Sequence, residues 1–266
     1  MSNFQKYAFA VISFLFPFLV TATVHAATTP LSALQSGDLI RGETNSSVYY
    51  FGADGMRYVF PNEKIFFTWE KDFKNVKWIS DAHLSRLQIG GNVTYRPGSK
   101  LIRFEGDPRV YAISKNGTLR AIRSEAIAQE LYGKKWSMEL DTLPPNLFRN
   151  YSLGDKINLA SQYSKDAEQK EIRSIQEDKS LFAPTIVHIG DQGYLDPTIY
   201  IKSGRAVRFQ NNGTIPHSAT EWNHIWGSGT LHPEESFTKY FFQKGTWSYY
   251  SMYDEKSNVS GAIVVE

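Results

Sequence analysis

Apolar and polar residues alternate along short stretches in two separate parts of the chain, and each part predicts a different architecture. In the first, Val48-Tyr-Tyr-Phe runs into Gly52-Ala-Asp-Gly55 and then Met56-Arg-Tyr-Val-Phe60, two strands around an Asp-Gly turn. The same pattern returns 62 positions later as Val110-Tyr-Ala-Ile, Ser114-Lys-Asn-Gly117 and Thr118-Leu-Arg-Ala-Ile122. Asp-Gly and Asn-Gly suit tight hairpins, because both central residues tolerate positive φ. A helix start follows each hairpin, with Asn62 and Ser124 as equivalent N-caps. Ile65 and Trp69, then Ile127 and Leu131, fall four apart on one helical face, and Gly133 marks the second helix's stop. Gly37-Asp-Leu-Ile, Gly91-Asn-Val-Thr and Gly154-Asp-Lys-Ile frame these stretches. The pattern predicts two hairpin–helix units packed together, since neither buries its apolar face alone.

From Phe182 onward the period is two. Thr185-Ile-Val-His-Ile189, Thr198-Ile-Tyr-Ile201 and Ala206-Val-Arg-Phe209 alternate, followed by Phe237–Phe242, Trp247–Ser251 and Ala262-Ile-Val-Val265. Gly, Pro and Asn clusters separate these runs at the spacing of a β-sandwich. Between the two parts, Ala160 to Ser180 is polar and charged with few large apolar residues, and reads as an exposed helix or a tether. The expected division is a signal peptide at 1–26, an α+β repeat domain at 31–159, a charged linker or helix at 160–181 and an all-β Greek-key sandwich at 182–266.

Composition narrows the function. Lys6 is the only charge in an apolar opening that ends in Val24-His25-Ala26, the pattern of a cleaved export signal, with a retained anchor as the alternative. Cleavage would take the net charge from +2 to +1, too little for a phosphate-backbone binder, so no nucleic-acid partner is expected. The chain has no cysteine, which excludes disulfides, thiolate metal sites and cysteine nucleophiles. It contains no glycine-rich phosphate loop, no G-x-S-x-G and no H-E-x-x-H, so no enzyme is expected and no catalytic residue is assigned.

Two resemblances sharpen this reading. SGDLIRG, VYYFGADGMRYVFPNE and GGNVTYRPGSKLIR resemble a repeat module of exported proteins from small-genome, uncultivated bacteria, over roughly Leu31 to Ile157. That resemblance implies an envelope or surface setting and no particular activity. Downstream, SGRAVRFQNN before Pro216-His217, the LHPEESF turn, KGTWSYY and a final G-x-I-V-V resemble a plastocyanin-type cupredoxin over Thr185 to Glu266. In that family one copper ligand is the histidine at His217, and the others follow C-x-x-H-x-x-x-x-M-x-G. Here that register places Ser251, Asp254 and Val259 at the ligand positions, while Gly261 keeps the glycine.

A type 1 site depends on a Cu–thiolate bond, two imidazoles and a weak axial ligand. Serine stays protonated at neutral pH, valine has no donor atom, and aspartate is a hard ligand. The resemblance therefore implies the fold without the electron-transfer site. His224 and His232 remain as alternative ligands for copper or zinc beside His217. The expectation is an exported, periplasmic or cell-surface protein with a binding or interaction role and no cofactor, its partner an envelope protein or a cell-wall glycan. The alternatives are a periplasmic copper- or zinc-binding or redox protein using histidines, and a glycan binder acting through Tyr49, Tyr58, Trp69, Trp78 and Trp136.

Overall fold

The computed structural model describes residues 28–254 and 260–266; the signal segment at 1–26 and Val259 lie outside them. The first five-stranded sheet is built from β1 (Leu39–Arg41), β2 (Tyr49–Phe51), β3 (Arg57–Val59), β4 (Val76–Trp78) and β5 (Ile89–Asn92), in the order β4-β1-β2-β3-β5. Helices α1 (Glu63–Trp69) and α2 (Asp81–Arg86) lie between its strands in sequence. The second sheet holds β6 (Leu101–Phe104), β7 (Tyr111–Ser114), β8 (Thr118–Ala121), β9 (Leu140–Leu143) and β10 (Ser152–Leu153), with α3 (Glu125–Tyr132) following β8. Its order, β9-β6-β7-β8-β10, has the same sense of pairing at every step: an antiparallel meander of three strands, flanked on each side by a parallel one.

Local chemistry explains the helix starts and the turns of both sheets. The Asn62 side chain accepts from the Ile65 N–H at 2.9 Å, and Ser124 accepts from Ile127 at 3.4 Å, so each helix starts on a side-chain cap. The two hairpin turns differ from one another. Asn116 and Gly117 are both left-handed, with φ of 59° and 61°, as a primed turn demands. In the first turn only Gly55 is left-handed (φ 71°), because the Asp54 side chain folds inward and accepts from the Met56 N–H at 3.1 Å. This turn aspartate is thus fully buried.

One apolar core joins both sheets, from Tyr50, Tyr58 and Phe66 of the first half to Tyr95, Tyr111 and Leu119 of the second. The aromatic residues considered for glycan stacking are largely spent on burial here. Tyr49 and Tyr58 are buried, Trp69 packs on the core with its Nε1–H on the Thr94 carbonyl at 2.8 Å, and Trp136 packs on a satellite cluster. Trp78 sits at the surface beneath the Arg41 guanidinium, 4.1 Å from the ring centre.

The charged segment 160–181 is more than a tether. It forms α4 (Lys165–Glu171) and α5 (Ile175–Lys179), and nearly all its large apolar residues are buried: Tyr163, Ile172, Ile175 and Leu181. Ile175 and Leu181 belong to the shared core. Asp178 is buried too; its carboxylate accepts from the Asn116 N–H at 2.8 Å, and burial pushes its carboxyl up to about 6. The segment is poor in large apolar residues, but a short amphipathic helix needs few anchors when all of them point one way.

The C-terminal part is a β-sandwich. One sheet, β12-β11-β14-β16, contains β11 (Thr185–Gly190), β12 (Gly193–Tyr194), β14 (Arg205–Asn211) and β16 (Ser236–Phe241). The other, β13-β18-β17-β15, contains β13 (Thr198–Ile201), β15 (Thr220–Glu221), β17 (Gly245–Tyr250) and β18 (Ser260–Val265). Val187, Val207, Phe209, Tyr249 and Ile263 fill the space between the sheets. No helix among the described residues is long and apolar enough to cross a membrane.

The two parts meet along a polar seam. Arg208 of β14 reaches the Asp54 backbone carbonyl, and the Asp54 carboxylate accepts from Tyr240 Oη at 2.7 Å and from Tyr58 Oη. The Gln88 side-chain amide pairs with the free edge of β16, donating to the Thr238 carbonyl at 2.9 Å and accepting from its N–H at 2.8 Å. An edge strand that would otherwise offer unpaired backbone groups is thereby closed.

Candidate functional site

The loop after β14 brings His217 to one end of the sandwich. Asn211, fully buried, holds that loop by donating from Nδ2 to the carbonyls of Ile215 and Leu231, each at 2.8 Å. His217 then pairs its own backbone with Leu231 in both directions, at 3.0 and 2.8 Å. These bonds bury the imidazole completely. Its Nδ1 lies 3.0 Å from Oδ2 of Asp254, while Nε2 is buried without a partner among the described residues.

Ser251 follows β17 and is buried. Its Oγ accepts from the Ser218 N–H at 3.3 Å and the Tyr253 N–H at 3.4 Å. Ser218 Oγ in turn accepts from the Met252 N–H at 2.9 Å and lies 3.2 Å from Thr220 Oγ1. Tyr194 closes the cluster by donating to the Ser218 carbonyl at 2.6 Å. Burial raises the Tyr194 phenol well above its ordinary range, and the neighbouring Tyr249 and Asp254 add to that shift.

Three of the four sequence-assigned positions therefore converge: His217 and Asp254 touch directly, and Ser251 joins through Ser218. Val259 lies outside the described residues. His224 and His232 are not drawn in. His224 is exposed in a left-handed turn (φ 61°), edge-on to Tyr250, and His232 is exposed with its N–H on the Glu235 carboxylate at 2.9 Å. Among the described residues no three His, Cys, Asp or Glu side chains gather as a metal site would require.

The donor set does not fit type 1 copper. A thiolate is missing from the sequence, and a buried hydroxyl bonded to two backbone N–H groups stands in its position. The one imidazole has its Nδ1 engaged by a carboxylate. What the arrangement can do is hold two loops together, and redox chemistry needs the soft ligand it lacks.

Sequence reasoning missed the other polar centre of the molecule, the Asp54 seam. Arg208 and Tyr240 alternate outward on their strands and Asp54 sits in a hairpin turn, so no local pattern marks the three as partners. Phe242 next to Tyr240 on the same face, with the two rings stacked at 6.1 Å, was the available hint of a covered surface.

No protein-family model and no curated protein sequence matches the chain. Among solved structures it is similar to a purple cupredoxin from Nitrosopumilus maritimus, at 19% identity and TM-score 0.28, over 31% of this chain and 99% of that one. It is also similar to amicyanin from Paracoccus versutus, at 22% identity and TM-score 0.28, over 31% of this chain and 81% of that one. The likeness is to a cupredoxin-like β-sandwich in part of the chain.

Proposed function

We propose that the chain is an exported, non-enzymatic protein of the cell envelope or surface with a binding role, whose cupredoxin-like sandwich works without type 1 copper. The N-terminal sheets are two copies of one hairpin–helix unit in this reading, and the sandwich is a rigid module docked on them. The supporting observation is that the ligand-position residues are spent on one another: His217 Nδ1 on Asp254 at 3.0 Å, and Ser251 on two backbone amides. Such a cluster stabilises a loop end and leaves no soft donor for Cu(I). The export signal and the resemblance of the first module support the envelope setting.

The test is copper and zinc loading of the purified mature protein, followed by elemental analysis and a visible spectrum. The expected result is a colourless protein without stoichiometric tight metal. An intense thiolate-type band would sink the proposal, and colourless but tight copper or zinc binding would favour the histidine-based metal protein instead. The triple variant Ser251→Cys, Asp254→His, Val259→Met checks the register itself. It should begin to take up copper, because the loop already has the family's length; a well-folded triple variant without copper affinity would remove the basis for the assignment.

A further inference from the structure

The two sheets of the sandwich present very different outer faces. The face of β14 and β16 is covered by the N-terminal module through Arg208, Thr238 and Tyr240. No described residue covers the trough of about 620 Å³ that crosses the face of β13, β18, β17 and β15. Its floor is made of small residues aligned by strand register: Thr198 opposite Ala262, and Ala262 opposite Ser248. Trp222 continues the row, its N–H on the Ser248 carbonyl at 3.0 Å. Three strand intervals at about 4.8 Å each make the trough roughly 14 Å long.

The chemistry of the lining is selective. Trp222 walls one side with 51% of its surface exposed, and its ring is held edge-on by Tyr250 at 5.1 Å. On the far edge strand, Tyr200 is 68% exposed and points to the same side as Thr198, two residues along. Between the two rings lie the hydroxyls of Thr198, Thr246 and Ser248, all exposed and none bonded to another described residue. The lining contains no lysine or arginine. Its single charge is Glu221, which is buried and has no cationic partner among the described residues; the Asn223 and Ile225 amides hold its carboxylate.

We propose that this trough binds a neutral oligosaccharide, with Trp222 as the stacking platform in its wall, Tyr200 beside it as a second apolar contact and the hydroxyl floor as hydrogen-bond partners. Flat aromatic rings offer an apolar face to the C–H side of a sugar ring, while short hydroxyls exchange bonds with its equatorial groups. A lining with one carboxylate and no cation repels phosphate, uronic acids and acidic peptides. Rigid floor strands mean that little conformational entropy is lost on binding, which an open site needs most. This deepens the envelope-binding role proposed above and moves it to a different surface from the hairpin aromatics. It is independent of the copper test, so the two can fail separately.

The experiment is calorimetric titration of the full mature chain with triacetylchitotriose and with cellotriose, using choline and a lysine-containing peptide as competing probes. At least one trisaccharide should bind saturably. Trp222→Ala should weaken that binding by about tenfold or more and Trp222→Tyr should retain most of it, with the melting temperature unchanged in both. Tyr200→Ala should cost less, and Trp78→Ala, on the other module, nothing. Absence of saturable binding of either sugar overturns the proposal. So does sugar binding unaffected by Trp222→Ala, or binding of choline or the peptide in place of the sugars.

Discussion

The seam between the modules and the bare-ligand end of the sandwich are both built around a carboxylate, and they differ in how completely it is matched. Asp54 is fully buried and meets the Met56 N–H and two tyrosine hydroxyls, one from each module, while Arg208 occupies its backbone carbonyl. Asp254 keeps 16% of its side chain exposed and meets one imidazole, whose other nitrogen has no partner among the described residues. A closed polar network in a dry place resists the loss of any member, because every remaining group is stranded. A network whose carboxylate keeps one side toward water gives way more cheaply, since water can replace what that carboxylate loses. The more completely matched polar network of this protein joins its two parts, and the His217 end of the sandwich is the less completely matched of the two.

The largest effect should come from Asp54→Ala. It leaves the Tyr58 and Tyr240 hydroxyls without their acceptor and should cost about 2–5 kcal/mol in denaturant unfolding. Burial and the Asp54 charge together hold both phenols well above their ordinary range, so the tyrosines cannot compensate by ionising. A loss below about 1 kcal/mol would mean that the seam is not the closed network described, and the comparison would break. Lost coupling between the unfolding of the two modules, seen as a second transition, would sharpen it.

His217→Ala should cost less, roughly 1–3 kcal/mol, because only Asp254 loses a contact and that carboxylate can turn to water. Metal content should not change. If this variant proved more damaging than Asp54→Ala, the ranking of the two centres would be reversed.

The smallest effect tests a third carboxylate, Asp178, which is buried with one oxygen on the Asn116 amide and the other unpartnered. Its folded-state carboxyl, raised to about 6 by burial, stays protonated where the unfolded chain has already released its proton. The folded state then binds more protons, so this group makes stability fall as pH rises from the ordinary carboxylate range through about 6, and remain lower above it. Asp178→Asn keeps the acceptor for Asn116 and removes the charge. It should be more stable than the parent by about 1–2 kcal/mol near pH 8, with the advantage fading by about pH 4. An advantage that did not change with pH would refute the assignment of this group.

What was legible in the sequence was mostly local. The hairpin at Asn116-Gly117, the caps at Asn62 and Ser124 and the alternation of β11, β14 and β17 each depend on neighbours a few residues away. The convergence of His217, Ser251 and Asp254 was legible through a known register of loop lengths, although their separations are long. The burial of Asp54 was not legible, because a turn aspartate can face either way and one of its partners here is Tyr240, 186 residues later. For 160–181 the sequence left helix and tether both open, because average polarity says little about whether the few apolar residues share a side; the segment forms two short helices.

By itself the sequence determined the alternation that makes strands, the turn and cap chemistry that ends them, and the absence of any thiolate ligand for copper. These are properties of residue types and short spacings, and no folding can supply a thiol that the chain lacks. Only the tertiary structure decided which outward-facing side chains meet a partner. Arg208 and Tyr240 lie on one sheet's outer face and became the seam, while Thr198, Ser248 and Trp222 lie on the other and stayed open. A strand's period of two assigns each residue a face, but what comes to rest against that face depends on contacts between segments far apart in the chain.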